Sequence, residues 1–198
     1  MTTTLRDLTG LGQAPASLAD SALILIDCQN TYREGIMQLE GVEPALQEAR
    51  RLLEKARKLE VPVIHIQHDA GEGTPYDIRA KIGQIADAVA PIEGETVITK
   101  HYPNSFVGTN LDEALKANGV RNIVLVGFMT HMCINSTAHG GFNLGYAPTV
   151  VASATATRAL PGADGSIIPA SDVHKAALAA TRDLYAAIAN DVDAVIQA

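Results

Sequence analysis

Three polar residues hold positions where their side chains could do chemistry together. Cys133 closes the segment Gly127-Phe128-Met129-Thr130-His131-Met132-Cys133, at or near the start of a helix expected from Met132 to Leu144 and stopped by Gly145. Unpaired N–H groups and the macrodipole at a helix start favour an anion, which would draw the thiol toward a nucleophilic thiolate. The competing reading of a free cysteine is a buried, inert small hydrophobe, and position alone leaves the two even. Asp27 ends the apolar run Ala22-Leu23-Ile24-Leu25-Ile26. A carboxylate there is costly unless it is paired or at work in a site; the bland alternative is a turn-former. Lys100 follows Thr99 at the end of another expected strand, Glu95 to Thr99. Alone, such a lysine is a solvated one; beside a carboxylate it keeps that group ionised and oriented, or stabilises developing negative charge. An acid, a base and a thiol in one cleft can deprotonate the thiol, attack a carbonyl carbon and protonate the leaving group.

The elements that must bring these residues together alternate along the chain. Strands are expected at Ala22 to Asp27, Val61 to Gln67, Glu95 to Thr99, Asn122 to Gly127, Pro148 to Ala152 and Asp193 to Ile196. Helices are expected from Glu43 to Leu59, from Asn110 to Asn118 with Thr109 as N-cap and Gly119 as its stop, from Met132 to Leu144, and from Ser171 to Ala187. The alternation predicts an α/β fold with a parallel sheet covered by helices on both faces. Ligands of such sheets bind beyond the carboxyl ends of the strands. Asp27, Lys100 and the turn from Gly127 to Cys133 all fall at or just past those ends. Gly- and Pro-rich loops at 70–89 and 158–165 are expected to cover the cleft or to make subunit contacts.

Composition narrows the partners. A length of 198 residues suits one domain with a single large core. The formal charge of −7 comes with no Lys/Arg cluster longer than Arg50-Arg51, so no nucleic acid and no membrane is expected as a partner, and a small molecule is. The start Met1-Thr2-Thr3-Thr4-Leu5-Arg6-Asp7 lacks the apolar stretch of a secretory signal, which points to a cytoplasmic protein. The two cysteines, Cys28 and Cys133, are expected to be reduced. Successive strand residues point to opposite faces, so Cys28 is read as core and Gln29 returns to the face of Asp27. Gln29, Tyr32 and Phe106 are candidate substrate-binding residues. His65 and His68, followed by Asp69, invite a metal reading, but the strand pattern favours ordinary packing for His65.

The segments Leu25-Ile26-Asp27-Cys28-Gln29-Asn30-Thr31-Tyr32, Thr99-Lys100-His101-Tyr102-Pro103-Asn104-Ser105-Phe106 and Gly127 to Cys133, in this order and spacing, resemble the isochorismatase-like cysteine hydrolases. The resemblance runs from about Ser21 to the C-terminus, making residues 1–20 an N-terminal extension and 21–198 a single hydrolase domain. It implies a three-layer α/β/α sandwich around a mainly parallel, Rossmann-like sheet, and a catalytic triad of Asp27, Lys100 and Cys133. It also implies a cis peptide at Phe128–Met129, from which the N–H groups of Met129 and Cys133 are predicted to form an oxyanion hole. His131 lies in the nucleophile turn where many relatives carry an acid, and joins the candidates for substrate binding. The nicotinamidase branch holds a metal through an Asp-x-His element; here the corresponding stretch reads Gln67-His68-Asp69-Ala70-Gly71-Glu72-Gly73, so no metal and no cofactor is expected. The implied activity is hydrolysis of a C–N bond in a small amide, carbamoyl or lactam-type compound through a thioester, in a homo-oligomer. The alternatives are an isochorismatase-type vinyl ether hydrolase and a non-catalytic or redox-sensing protein that uses Cys133.

Overall fold

The computed structural model describes residues 2–196. Its centre is a six-stranded, all-parallel sheet in the order β3-β2-β1-β4-β5-β8, built from β1 (Ser21–Ile26), β2 (Val63–His68), β3 (Thr96–Lys100), β4 (Asn122–Phe128), β5 (Ala147–Ala156) and β8 (Ala187–Ala189). Every residue of β1 is buried, as a strand covered on both faces requires. Its side chains divide by parity. Leu23 and Leu25 join one core with the buried face of α2 (Val42–Leu59), while Ala22, Ile24 and Ile26 join a second core with α3 (Leu111–Ala117) and α4 (Asn135–Asn143). The result is a three-layer α/β/α sandwich. α1 (Leu5–Leu8) precedes β1, and the buried Arg6 ties it down by donating to the carbonyls of Gly12 and Leu184. Between β5 and α5 (Ala170–Leu184), Leu160–Pro161 (β6) and Ile167–Ile168 (β7) form a small antiparallel hairpin.

Four expectations change. Asp193–Ile196 is a helical turn, α6, and not the last strand; Asp191 Oδ1 accepts from the Ala194 N–H and caps it. The sheet instead ends in Ala187–Ala189, which alanine's helical propensity disguises as the tail of α5 and which pairing with β5 makes a strand. The third change concerns the nucleophile turn: a wide π-turn over Thr130–Ile134 comes first, and α4 begins only at Asn135. For α3 the N-cap is Asn110, although the Thr109 hydroxyl does accept from the Leu111 N–H.

Gly127 sets the end of β4. Its φ is +115°, and a Cβ there would collide with the backbone carbonyl of Ile26. Only glycine lets β4 run this close to the end of β1. Ile26 and Gly127 are register partners, so this approach brings the residues that follow each strand side by side. The Phe128–Met129 peptide is cis.

Candidate active site

Four adjacent strands each deliver one polar side chain to the same point beyond their carboxyl ends. In the spatial order β3, β2, β1, β4 these are Lys100, His68, Asp27 and Cys133. Lys100 and His68 are the last residues of their strands and register partners. Asp27 follows β1 with φ +50°, a left-handed conformation that Asp tolerates better than most side chains and that turns the chain out of the sheet. Cys133 is carried by the π-turn after β4.

The Lys100 ammonium is the hub. Its Nζ lies 2.8 Å from Asp27 Oδ2, 3.3 Å from His68 Nδ1 and 3.4 Å from Cys133 Sγ, three neighbours for three N–H bonds. Lys100 and Asp27 are both 0% exposed, so neither charge is solvated by water and each depends on the other. Burial pushes the Asp27 pKa up, with Lys100 opposing. The thiol behaves differently from the helix-dipole expectation. Burial first, and then the Asp27 carboxylate, push the Cys133 pKa up to about 12, against the pull of Lys100. Cys133 is 5% exposed and lies inside the π-turn, ahead of α4, so desolvation outweighs any pull from the helix. The resting group is therefore a thiol with a base beside it, not a free thiolate.

Sγ opens into a cavity of about 160 Å³ lined by Tyr32, His68, Tyr76, Pro103, Met129, Met132 and Cys133. That is below the ~300–1,000 Å³ of pockets for drug-sized ligands and suits a small substrate. Its walls are aromatic and thioether: Tyr32 meets Tyr76 edge to face at 5.8 Å between ring centres, and Tyr76 meets His68 at 5.1 Å. A cavity of about 380 Å³ between the starts of α2 and α5 and the end of β5 contains neither a cysteine nor a paired acid and base.

The residues singled out from sequence fall into two groups. Asp27, Lys100 and Cys133 come together, and Tyr32 and Met129 line the cavity beside them. Gln29, Phe106 and His131 do not line it. Gln29 is fully buried, and its amide bonds the backbone N–H and C=O of His68 and the carbonyl of Gly83, bracing the end of β2. Phe106 stacks on Tyr146 at 5.6 Å, against α4. His131 turns away and pairs through Nδ1 with the Thr157 hydroxyl. Cys28 packs in the core on the α2 face, and burial raises its pKa. His65 bonds Glu95 at 2.9 Å. Among the described residues no group of three or more His, Cys, Asp or Glu is placed to hold a metal ion.

Sequence reasoning missed His68, Pro103 and Met132 as cavity residues, whereas the 70–89 loop, expected to cover the cleft or to make subunit contacts, supplies Tyr76 to the cavity wall. For His68 a signal existed: it ends β2 as Lys100 ends β3, and the strand-end rule applies equally to both. The others come from loops and the π-turn, whose course no periodicity encodes.

Comparison with known proteins matches this architecture. The isochorismatase domain model matches residues 21–190. The secreted isochorismatase effector Isc1 of Verticillium dahliae is 36% identical over 189 residues, covering 95% of this chain and 97% of that protein. The crystal structure of an isochorismatase from Pseudomonas putida KT2440 superposes with a TM-score of 0.92 at 38% identity, over 96% of this chain and 97% of the other. The ureidoacrylate amidohydrolase RutB of Stutzerimonas stutzeri is 30% identical over 69% of this chain and 70% of its own length. The N-carbamoylsarcosine amidase of Thermoplasma acidophilum superposes with a TM-score of 0.71 at 25% identity, over 86% of this chain and 95% of that one.

Proposed function

This chain belongs to the isochorismatase family of hydrolases, and from that premise we propose that it cleaves a C–N bond of a small amide, carbamoyl or lactam-type compound through a thioester on Cys133. The observation that carries the reading is the Lys100 ammonium set between Asp27 and the Cys133 thiol at the floor of a small cavity. Relatives named as a ureidoacrylate amidohydrolase and an N-carbamoylsarcosine amidase support the choice of bond.

In this mechanism Asp27 takes the Cys133 proton as Sγ attacks the carbonyl carbon. A thiol whose pKa is near 12 is deprotonated in concert with attack, because a free thiolate would be rare at neutral pH. Lys100 stays paired with Asp27 and faces the charge that moves between the acid and the sulfur. The N–H groups of Met129 and Cys133, both residues of the cavity wall, receive the oxyanion. Asp27 then returns the proton to the leaving nitrogen, the C–N bond breaks, and a thioester remains. Water, deprotonated by Asp27, attacks the thioester; the carboxylic product leaves and Sγ recovers its proton. A cytoplasmic homo-oligomer is part of the proposal, checked by cell fractionation and by light scattering of the purified chain.

The test is a screen of small amides, carbamoyl compounds and lactams for release of ammonia or amine, run on the wild type and on Cys133→Ala. Turnover by the wild type alone, with acyl mass trapped on Cys133, supports the reading. A thiol that cycles with peroxide while no compound turns over would sink it in favour of a redox role.

A further inference from the structure

The Lys100 ammonium has a third neighbour that the reaction above leaves without a task. His68 Nδ1 lies 3.3 Å from Lys100 Nζ, and an ammonium has protons to give but no lone pair to offer. Nδ1 must then be the acceptor, and the neutral ring carries its proton on Nε2. Burial, with Lys100 second, lowers the His68 pKa; Asp27 and Asp69 oppose that shift and His101 adds to it, so the ring is neutral near pH 7. The residue is also held in place. Gln29 bonds both the N–H and the C=O of His68, at 2.8 and 3.0 Å, and the ring stands edge-on to Tyr76. His68 lines the cavity over Cys133, whose other wall side chains are those of tyrosine, proline and methionine. Nδ1 faces Lys100, which leaves the Nε2–H edge for the cavity.

We propose that His68 is a specificity-determining residue of this site: Lys100 locks it in the Nε2–H form, and that N–H donates to an acceptor oxygen on the substrate beside the attacked carbon. This rests on the hydrolase reading, in which the attacked carbonyl oxygen goes to the backbone donors of Met129 and Cys133. A further fixed donor in so small a cavity calls for a second acceptor, so the substrate class narrows to small carbonyl compounds bearing another carbonyl, ether or carboxylate oxygen next to the scissile group. Compounds that present an ammonium or N–H there meet a donor and are disfavoured, because an unmatched buried donor costs more than a hydrogen bond contributes.

The test uses the full chain and needs no turnover. Nitrogen-15 NMR of histidine-labelled protein reads the tautomer directly, and Nε2 protonated with Nδ1 bare is expected for His68. Alkylation of Cys133 is then followed by peptide mass with iodoacetamide, which carries an acceptor oxygen beside the attacked carbon, and with iodoethane, which has none. His68→Phe is expected to slow iodoacetamide roughly tenfold, the worth of one hydrogen bond, with iodoethane changed less than about twofold. His68→Gln, which restores an N–H donor, is expected to recover most of the iodoacetamide rate. Equal slowing of both reagents, no slowing of either, or a protonated Nδ1 in the wild type would overturn the proposal. The amide screen can fail while tautomer and probe selectivity hold, so the two readings fall separately.

Discussion

Lys100 Nζ stands 2.8 Å from Asp27 Oδ2, with both side chains sealed from solvent. A buried pair of this kind adds little net stability as a pair, but losing one partner strands the other charge. Lys100→Met is therefore expected to cost about 3–5 kcal/mol in urea unfolding, and to abolish turnover. Asp27→Asn in the Lys100→Met background is expected to return part of that loss, because no charge is then left unpaired. A double-mutant cycle measures the difference; strict additivity of the two substitutions would contradict the coupling.

The same carboxylate acts on Cys133 in two opposed ways. It accepts the thiol proton during attack, and at rest its charge helps to hold the thiol pKa near 12. Asp27→Asn removes both effects while Lys100 remains, so the thiol should ionise at lower pH than in the wild type. Turnover should nevertheless fall by roughly 10²- to 10⁴-fold, the usual worth of a general base. The check is a pH titration of the ultraviolet absorbance of the thiolate beside the rate of amide hydrolysis. An unchanged or higher thiol pKa in Asp27→Asn would show that the carboxylate does not face the sulfur.

How far the sequence could be read follows from which physics each residue obeys. β1 and β4 are continuous apolar runs buried on both faces, so their ends, and with them Asp27 and the nucleophile turn, are legible without coordinates. Lys100 is legible as the residue that ends a strand, although β3 is a partly exposed edge strand and not a continuous apolar run. β8 was not, because Ala187–Ala189 has no strand pattern and becomes a strand only by pairing with Thr149, Val150 and Val151. Gln29 shows a limit of alternation: it left the strand at Asp27, whose left-handed backbone breaks the period, and its amide went to bracing His68. Phe106 and His131 lie beside motif residues in sequence, but packing against Tyr146 and pairing with Thr157 decide where they point.

Gly127→Ala tests the contact that sets β1 and β4 together. The added methyl would meet the Ile26 carbonyl, a backbone group that has no rotamer to move into, at a φ of +115° that alanine resists. Strain at such a φ costs about 1–3 kcal/mol before the clash is counted. The expected outcome is a fall in melting temperature together with loss of turnover out of proportion to the fraction unfolded, since Asp27 follows Ile26 and the turn bearing Cys133 follows Gly127. Full activity in the folded fraction would mean that the spacing of the two strand ends does not govern the site.

Glu95 provides an acid-limb prediction away from the site. Burial works to raise its pKa, but Arg57, the Ile92 N–H and His65 together lower it from 4.5 to about 2. A carboxyl whose folded pKa lies below its unfolded value adds stability that is complete above the unfolded pKa and fades as pH falls through the folded one. The contribution is thus present at neutral pH, begins to shrink as pH falls below about 4.5, and is gone below about 2. Glu95→Gln never has it. Melting temperatures of wild type and Glu95→Gln should differ most at neutral pH and converge as pH falls across that window. Because Arg57 reaches Glu95 through Nε at 2.7 Å and a second nitrogen at 2.9 Å, Arg57→Met should reproduce most of the effect. A constant difference at every pH would mean that the glutamate contributes by shape and not by charge, which the bidentate geometry argues against.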